Sequence, residues 1–206
     1  MKKLVTILLC LGLTAGVAAT ASAGRKPVKT TLYLHGDSPV GEGAQGAMYL
    51  SDGTVMKLNG DAPTDPVPKS YNFTNPVGNE QCAGNELFFP TWVGTMQGRI
   101  TGDATWTLHF VSPPSSVMAR IWVDVPSGAC NEAYVEPAQE VIVEIPAGHN
   151  EVDVVFKKLN LKAEGLIMLE LLQQDPAAQG RVLYDGADFA SAITFQCVPA
   201  SGSSCI

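Results

Sequence analysis

Side chains able to carry chemistry are few and scattered. The chain holds three histidines, His35, His109 and His149, and five cysteines. His35 stands two residues before Asp37, and a His-x-Asp pair at a strand end is a spacing that could orient an imidazole for proton transfer. No serine or cysteine sits in a recognisable nucleophile setting, no HExxH pair occurs, and Gly41-Glu-Gly43 and Gly60-Asp61 do not make phosphate loops. His109 alternates with Trp106, Leu108 and Phe110 and is expected on an exposed sheet face, while His149 lies in a turn-like stretch. These absences lead to the expectation of a protein that is not an enzyme. The alternative is a hydrolase that draws an acidic pair from distant strands, a constellation that local spacing does not reveal.

Loop carboxylates offer a second chemistry. Hard cations take about six to eight oxygens from carboxylates and carbonyls, and the end of the first strand is expected to meet the segment Tyr184-Asp-Gly-Ala-Asp188. Asp37, Asp185 and Asp188 are therefore the candidate ligands of a structural Ca2+, outside any EF-hand pattern. Aromatic rings offer a third. Trp122 falls on the strand face of Arg120 and Asp124, opposite Ile121 and Val123, and with Tyr71 it is the candidate surface for stacking on a carbohydrate. Trp106 shares a core-type face and is expected inside.

The elements that must position these residues follow from a period of two. Ala104–Val111, Met118–Val125, Glu140–Ile145 and Glu151–Phe156 alternate apolar with polar side chains, the signature of strands with one buried face. Pro146-Ala-Gly-His-Asn150 is a spacer that would let the last two lie antiparallel. Thr30–His35 reads as the first strand, with Leu32 and Leu34 together and Tyr33 and His35 opposite. From Val40 to Gly84 glycine, proline and aspartate dominate, so most of that tract is expected as loop with room for two short strands. Leu87–Val93 contains Pro90, which removes a ladder donor and suggests an edge strand or bulge. Leu166–Leu172 suits helix by composition, but Ile167, Leu169 and Leu171 share one face of an extended chain, and antiparallel neighbours need a partner. A strand is the expectation there. Arg181–Tyr184 and Ser191–Phe195 read as a closing hairpin or arch.

The whole chain sets the compartment. Met1-Lys-Lys3, an apolar run from Leu4 to Leu13 and Ala21-Ser-Ala23 have the form of a cleavable signal, which makes residues 1–23 a leader and 24–206 one domain, secreted or periplasmic. No later stretch is apolar enough to span a bilayer. The formal net charge is −7, and loss of Lys2 and Lys3 deepens it by two, a poor surface for nucleic acid. Cys82, Cys130, Cys197 and Cys205 remain, an even number that in an exported chain points to two disulfides. The flexible spacer between Cys197 and Cys205 favours that pair, which leaves Cys82 with Cys130.

Two end motifs carry a resemblance. Thr31-Leu-Tyr-Leu-His-Gly36 and Gly180-Arg-Val-Leu-Tyr-Asp185, with Ala190-Ser-Ala-Ile-Thr-Phe195 after it, resemble the opening and closing strands of jelly-roll β-sandwich accessory domains of secreted bacterial proteases and surface proteins. The resemblance implies an all-β, antiparallel, jelly-roll-like β-sandwich. It also implies a non-catalytic accessory role; the long loop region 40–84, the supply of aromatics and the missing nucleophile lead to the expectation of a module that binds a carbohydrate or protein partner through those loops. A structural envelope protein is a further alternative.

Overall fold

Alternating apolar side chains become strands because a pleated ribbon sends successive side chains to opposite faces. The computed structural model describes residues 25–37, 55–73, 91–124, 137–173 and 180–206. Within them lie β1 (Val28–Asp37), β2 (Val55–Asn59), β3 (Lys69–Phe73), β4 (Thr91–Thr95), β5 (Gly98–Ser112), β6 (Ser116–Val123), β7 (Gln139–Glu144), β8 (Glu151–Ala163), β9 (Leu166–Gln173), β10 (Gly180–Tyr184) and β11 (Ala192–Pro199). They form one large mixed sheet in the order β3-β10-β5-β11-β1-β2-β4-β9-β6-β7, with β8 also paired to β5. Among the described residues the pairings are antiparallel except β2 with β4. The domain is therefore all-β, as the alternation requires.

One apolar cluster gathers the inward faces. Leu32 and Leu34 of β1, Trp92 of β4, Trp106, Leu108 and Phe110 of β5, Phe156 of β8 and Phe195 of β11 are all but fully buried. Trp92 and Trp106 meet edge to face with centroids 5.8 Å apart, the geometry that ring quadrupoles favour. Cys197 and Cys205 belong to the same cluster and form the expected disulfide, with Cα atoms 6.4 Å apart. Cys82 and Cys130, and residues 1–23, lie outside the described residues.

Several sequence readings change in detail. β7 and β8 do not form a ladder across Pro146–Asn150: β7 pairs with β6, and β8 pairs with β5. The connection is an arch, and the Gln139 side chain bridges the gap, accepting from Lys157 N at 2.9 Å and donating to Lys157 O at 3.3 Å. β4 starts one residue after Pro90 and lies between β2 and β9 rather than at an edge. Thr91 pairs with Glu170 in the ladder, and Pro90 lies outside the described residues. Leu166–Gln173 is a strand, held between β4 and β6. The tract 40–84 contributes β2 and β3, and β10 and β11 form an arch along β5.

Candidate functional site

The first polar constellation closes the end of β1. His35 points away from Leu34, and its Nδ1 meets the carboxylate of Asp185, which follows β10. The same carboxylate accepts from Gly36 N at 3.2 Å and from Lys69 Nζ at 3.0 Å. His35 Nε2 faces the carbonyl of Asp61 at 3.0 Å. Both ring nitrogens are thus engaged by oxygens of the chain itself, so the ring ties segments together rather than facing a bound group. Gly36 is required beside it, since a Cβ there would stand 2.5 Å from the Tyr184 ring. This is a latch joining β1, the segment after β2 and the end of β10. The expected approach of the first strand to the Tyr184–Asp188 segment is present at Gly36 and Asp185, whereas Asp188 is exposed and the side chain of Asp37 lies outside the described residues.

A second constellation crosses three strands. In the ladder Arg120 of β6 stands opposite Glu140 of β7 on one side and Glu170 of β9 on the other. Its Nε donates to Glu140 Oε2 at 2.6 Å and its Nη1 to Glu170 Oε2 at 3.2 Å. Side-chain exposure falls steeply along the row, from 38% at Glu140 to 14% at Arg120 and 7% at Glu170. Register places Trp122 beside Met168 on one flank of the row and Met118 beside Leu172 on the other. Trp122, Met168 and Leu172 are buried yet stand apart from the main core. Burial pushes the Glu170 carboxyl up to about 7 against the pull of the Arg120 guanidinium, and the nearby Glu140 charge adds to the rise. One carboxyl thus holds its proton up to about 7, while its partner across the guanidinium reaches solvent.

Other candidates fall as follows. Trp122 occupies the expected face but is only 8% exposed. Tyr71 lies in β3 opposite Val182, and its side chain is outside the described residues. His109, expected to be exposed, is instead packed edge to face with Phe189 at 6.0 Å and is 16% exposed. The reason is the segment after β10, which folds over β5 and sends Ser191 Oγ to His109 N at 2.9 Å. His149 is exposed in its turn. Sequence reasoning missed the Arg120 row. The available signal was Glu170, a lone carboxylate in the run Leu166–Leu172, because a charge in such a run demands a cation on a neighbouring strand.

No family model matches the chain, and no curated protein matches it. Solved structures do. An aminopeptidase from a marine sediment Thaumarchaeota archaeon is similar over 83% of this chain and 37% of its own, with 13% identity and a TM-score of 0.50. A CocE/NonD family hydrolase from Staphylococcus aureus and an α-amino acid ester hydrolase align over 84% of this chain, at TM-scores of 0.44 and 0.45 and identities of 10% and 12%. The chain spans little over a third of each of these proteins. At this identity the aminopeptidase shares the fold alone. It nevertheless corrects the expectation of a non-catalytic binding or accessory module and of a protein that is not an enzyme, because the fold is found built into a catalytic chain.

Proposed function

We propose that this protein is an exported hydrolase of amide or ester bonds whose acidic pair is Glu140 and Glu170, set about Arg120. The observation that carries the reading is the split in the row: a buried carboxyl raised to about 7 and an accessible carboxylate share one guanidinium. Groups pushed apart in protonation can take different roles in one site: the neutral one leaves the charge of Arg120 uncancelled, and the ionised one can act as base. The aminopeptidase named above is consistent with this class of reaction.

In this reading Glu140 takes a proton from water as the water oxygen bonds to the substrate carbonyl carbon. The oxyanion that forms faces Arg120, whose charge stabilises it. The bond to the amine or alcohol then breaks as the leaving group takes the proton back from Glu140. Glu170 is a positioning residue: neutral, it holds Arg120 without cancelling its charge. The same reading takes the sheet as a jelly-roll-like sandwich with β7 and β8 brought together by Gln139, and the Cys197–Cys205 bond supports an oxidising compartment.

The test is hydrolysis of aminoacyl p-nitroanilides and p-nitrophenyl esters by the purified protein. Glu140→Gln is expected to lower kcat/KM by about 100-fold or more, measured below the variant's own melting temperature because Glu140 is also the charged partner of the largely buried Arg120. Activity of the wild type should fall as pH rises through about 7, where Glu170 ionises beside Arg120, and Glu170→Gln should lose that limb. Equal rates for wild type and Glu140→Gln would remove Glu140 from the chemistry.

A further inference from the structure

The strand that carries Glu140 continues past it on the same side of the sheet. β7 alternates in exposure, with Val141 and Val143 packed toward the main core and Glu140, Ile142 and Glu144 exposed on the other face. Register sets these three in successive rows. Glu140 stands opposite Arg120, Ile142 opposite Met118 and Glu144 opposite Ser116, and the middle row runs on to Leu172 of β9. An apolar row thus lies directly beside the row of Glu140, Arg120 and Glu170, with a further carboxylate beyond it. Backbone bonds outside the ladder tie both ends of β7 to its neighbour, from Ala138 N to Ile121 O and from Ile145 N to Ser115 O, each 2.8 Å. The spacing of the rows is therefore fixed by the strand.

Two side chains in these rows are open to a bound molecule. Ile142 is 50% exposed, an apolar surface between two carboxylates. Glu144 is exposed and makes no ion pair among the described residues, whereas Glu140 and Glu170 share Arg120. We infer that Ile142 and Glu144 select substrates with a basic side chain, lysyl or arginyl, on the residue whose carbonyl is attacked; the inference rests on the Arg120 row as the hydrolytic site. The dimensions agree. Strand geometry sets Glu140 and Glu144 about 13 Å apart along β7. Contacts of about 3 Å at each end leave about 7 Å between carbonyl carbon and cation, the reach of an extended lysyl side chain with bonds of about 1.5 Å. Its methylenes cross Ile142 and Met118, and its ammonium meets Glu144. A net charge of −7 draws such substrates toward the surface.

The test compares lysyl and norleucyl p-nitroanilides, which differ by the terminal ammonium alone, on the purified oxidised protein at low salt. The lysyl substrate is expected to have a kcat/KM about fivefold higher, the scale of an exposed ion pair. That ratio should fall toward one with added salt and in Glu144→Gln, through KM, and should invert in Glu144→Lys. Glu144→Gln should melt with the wild type, since the carboxylate it removes is exposed and has no ion pair among the described residues. Ile142→Ser should lower kcat/KM for both substrates relative to alanyl p-nitroanilide. Equal rates on lysyl and norleucyl substrates in the wild type would overturn the inference and leave the hydrolytic role of the row standing. A lysyl preference that survives Glu144→Gln would do the same. Hydrolysis of none of the three substrates overturns both.

Discussion

At the scale of single residues, Glu170 sets a pH dependence whose sign is fixed by its burial. In the unfolded chain its carboxyl returns to 4.5, while in the fold it holds its proton to about 7. Between these values the folded protein binds a proton that the unfolded chain has released, so the group's contribution to stability is full below 4.5 and is lost as pH rises to about 7. The change amounts to roughly 3 kcal/mol. Urea unfolding from pH 4.5 to 8 should show this decline in the wild type, and Glu170→Gln should flatten it. A variant with the wild-type slope would place the titration elsewhere. Asp103 acts in the opposite sense: the Lys158 amide and then the Lys157 ammonium hold its carboxyl below the usual range, so what it contributes is lost only in acid. Neither behaviour is legible in sequence. Arg120 is 50 residues from Glu170 and 20 from Glu140, and only the register of three strands brings them into line. His35 was visible as a candidate, but its partner Asp185 is 150 residues away.

At the scale of elements, periodicity revealed most of the strands and little of their pairing. The alternation in β5, β6 and β8 depends on which face is buried, and that is written locally in side-chain type. Which strand lies beside which depends on chain direction at the turns, and an arch and a hairpin have similar composition. This is why Pro146–Asn150 was legible as a turn but not as a crossing between sheet ends. The β8–β9 turn shows how such a connection is held. Asp124, at the end of β6 with φ of 49°, accepts from the amides of Glu164, Gly165 and Leu166 at 2.6, 2.9 and 2.9 Å. Asp124→Ala should destabilise by about 2 kcal/mol, since it removes three acceptor contacts and places a poorly suited residue at positive φ. Asp124→Asn should retain much of that, because asparagine tolerates the backbone and keeps one acceptor. Thermal melts of the pair separate backbone from hydrogen-bond effects, and equal melting of Asp124→Ala and wild type would dismiss the cap.

At the scale of the whole molecule, the strand nearest the end of the described chain is among the most central. β11 is paired on both sides, with β1 from Val28 to Tyr33 and with β5 from Gly98 to Thr107. Ile193, Phe195 and Cys197 carry its buried face. Each buried apolar side chain is worth about 1.5–3 kcal/mol, and a domain's net stability is only about 5–15 kcal/mol. A chain ending at Ser191 should therefore lack dispersed amide signals in NMR spectra, and a synthetic Ala192–Ile206 peptide with its disulfide formed should restore them. Native-like spectra from the truncated chain alone would contradict the central place of β11. That place also sets a clock. At about 5–20 residues per second of synthesis, roughly 8 to 30 seconds separate the emergence of β1 from that of the strand that must lie beside it. Through that interval β1 and β5 present open edges where β11 will lie, and a chain so exposed depends on its surroundings to keep those edges from pairing elsewhere.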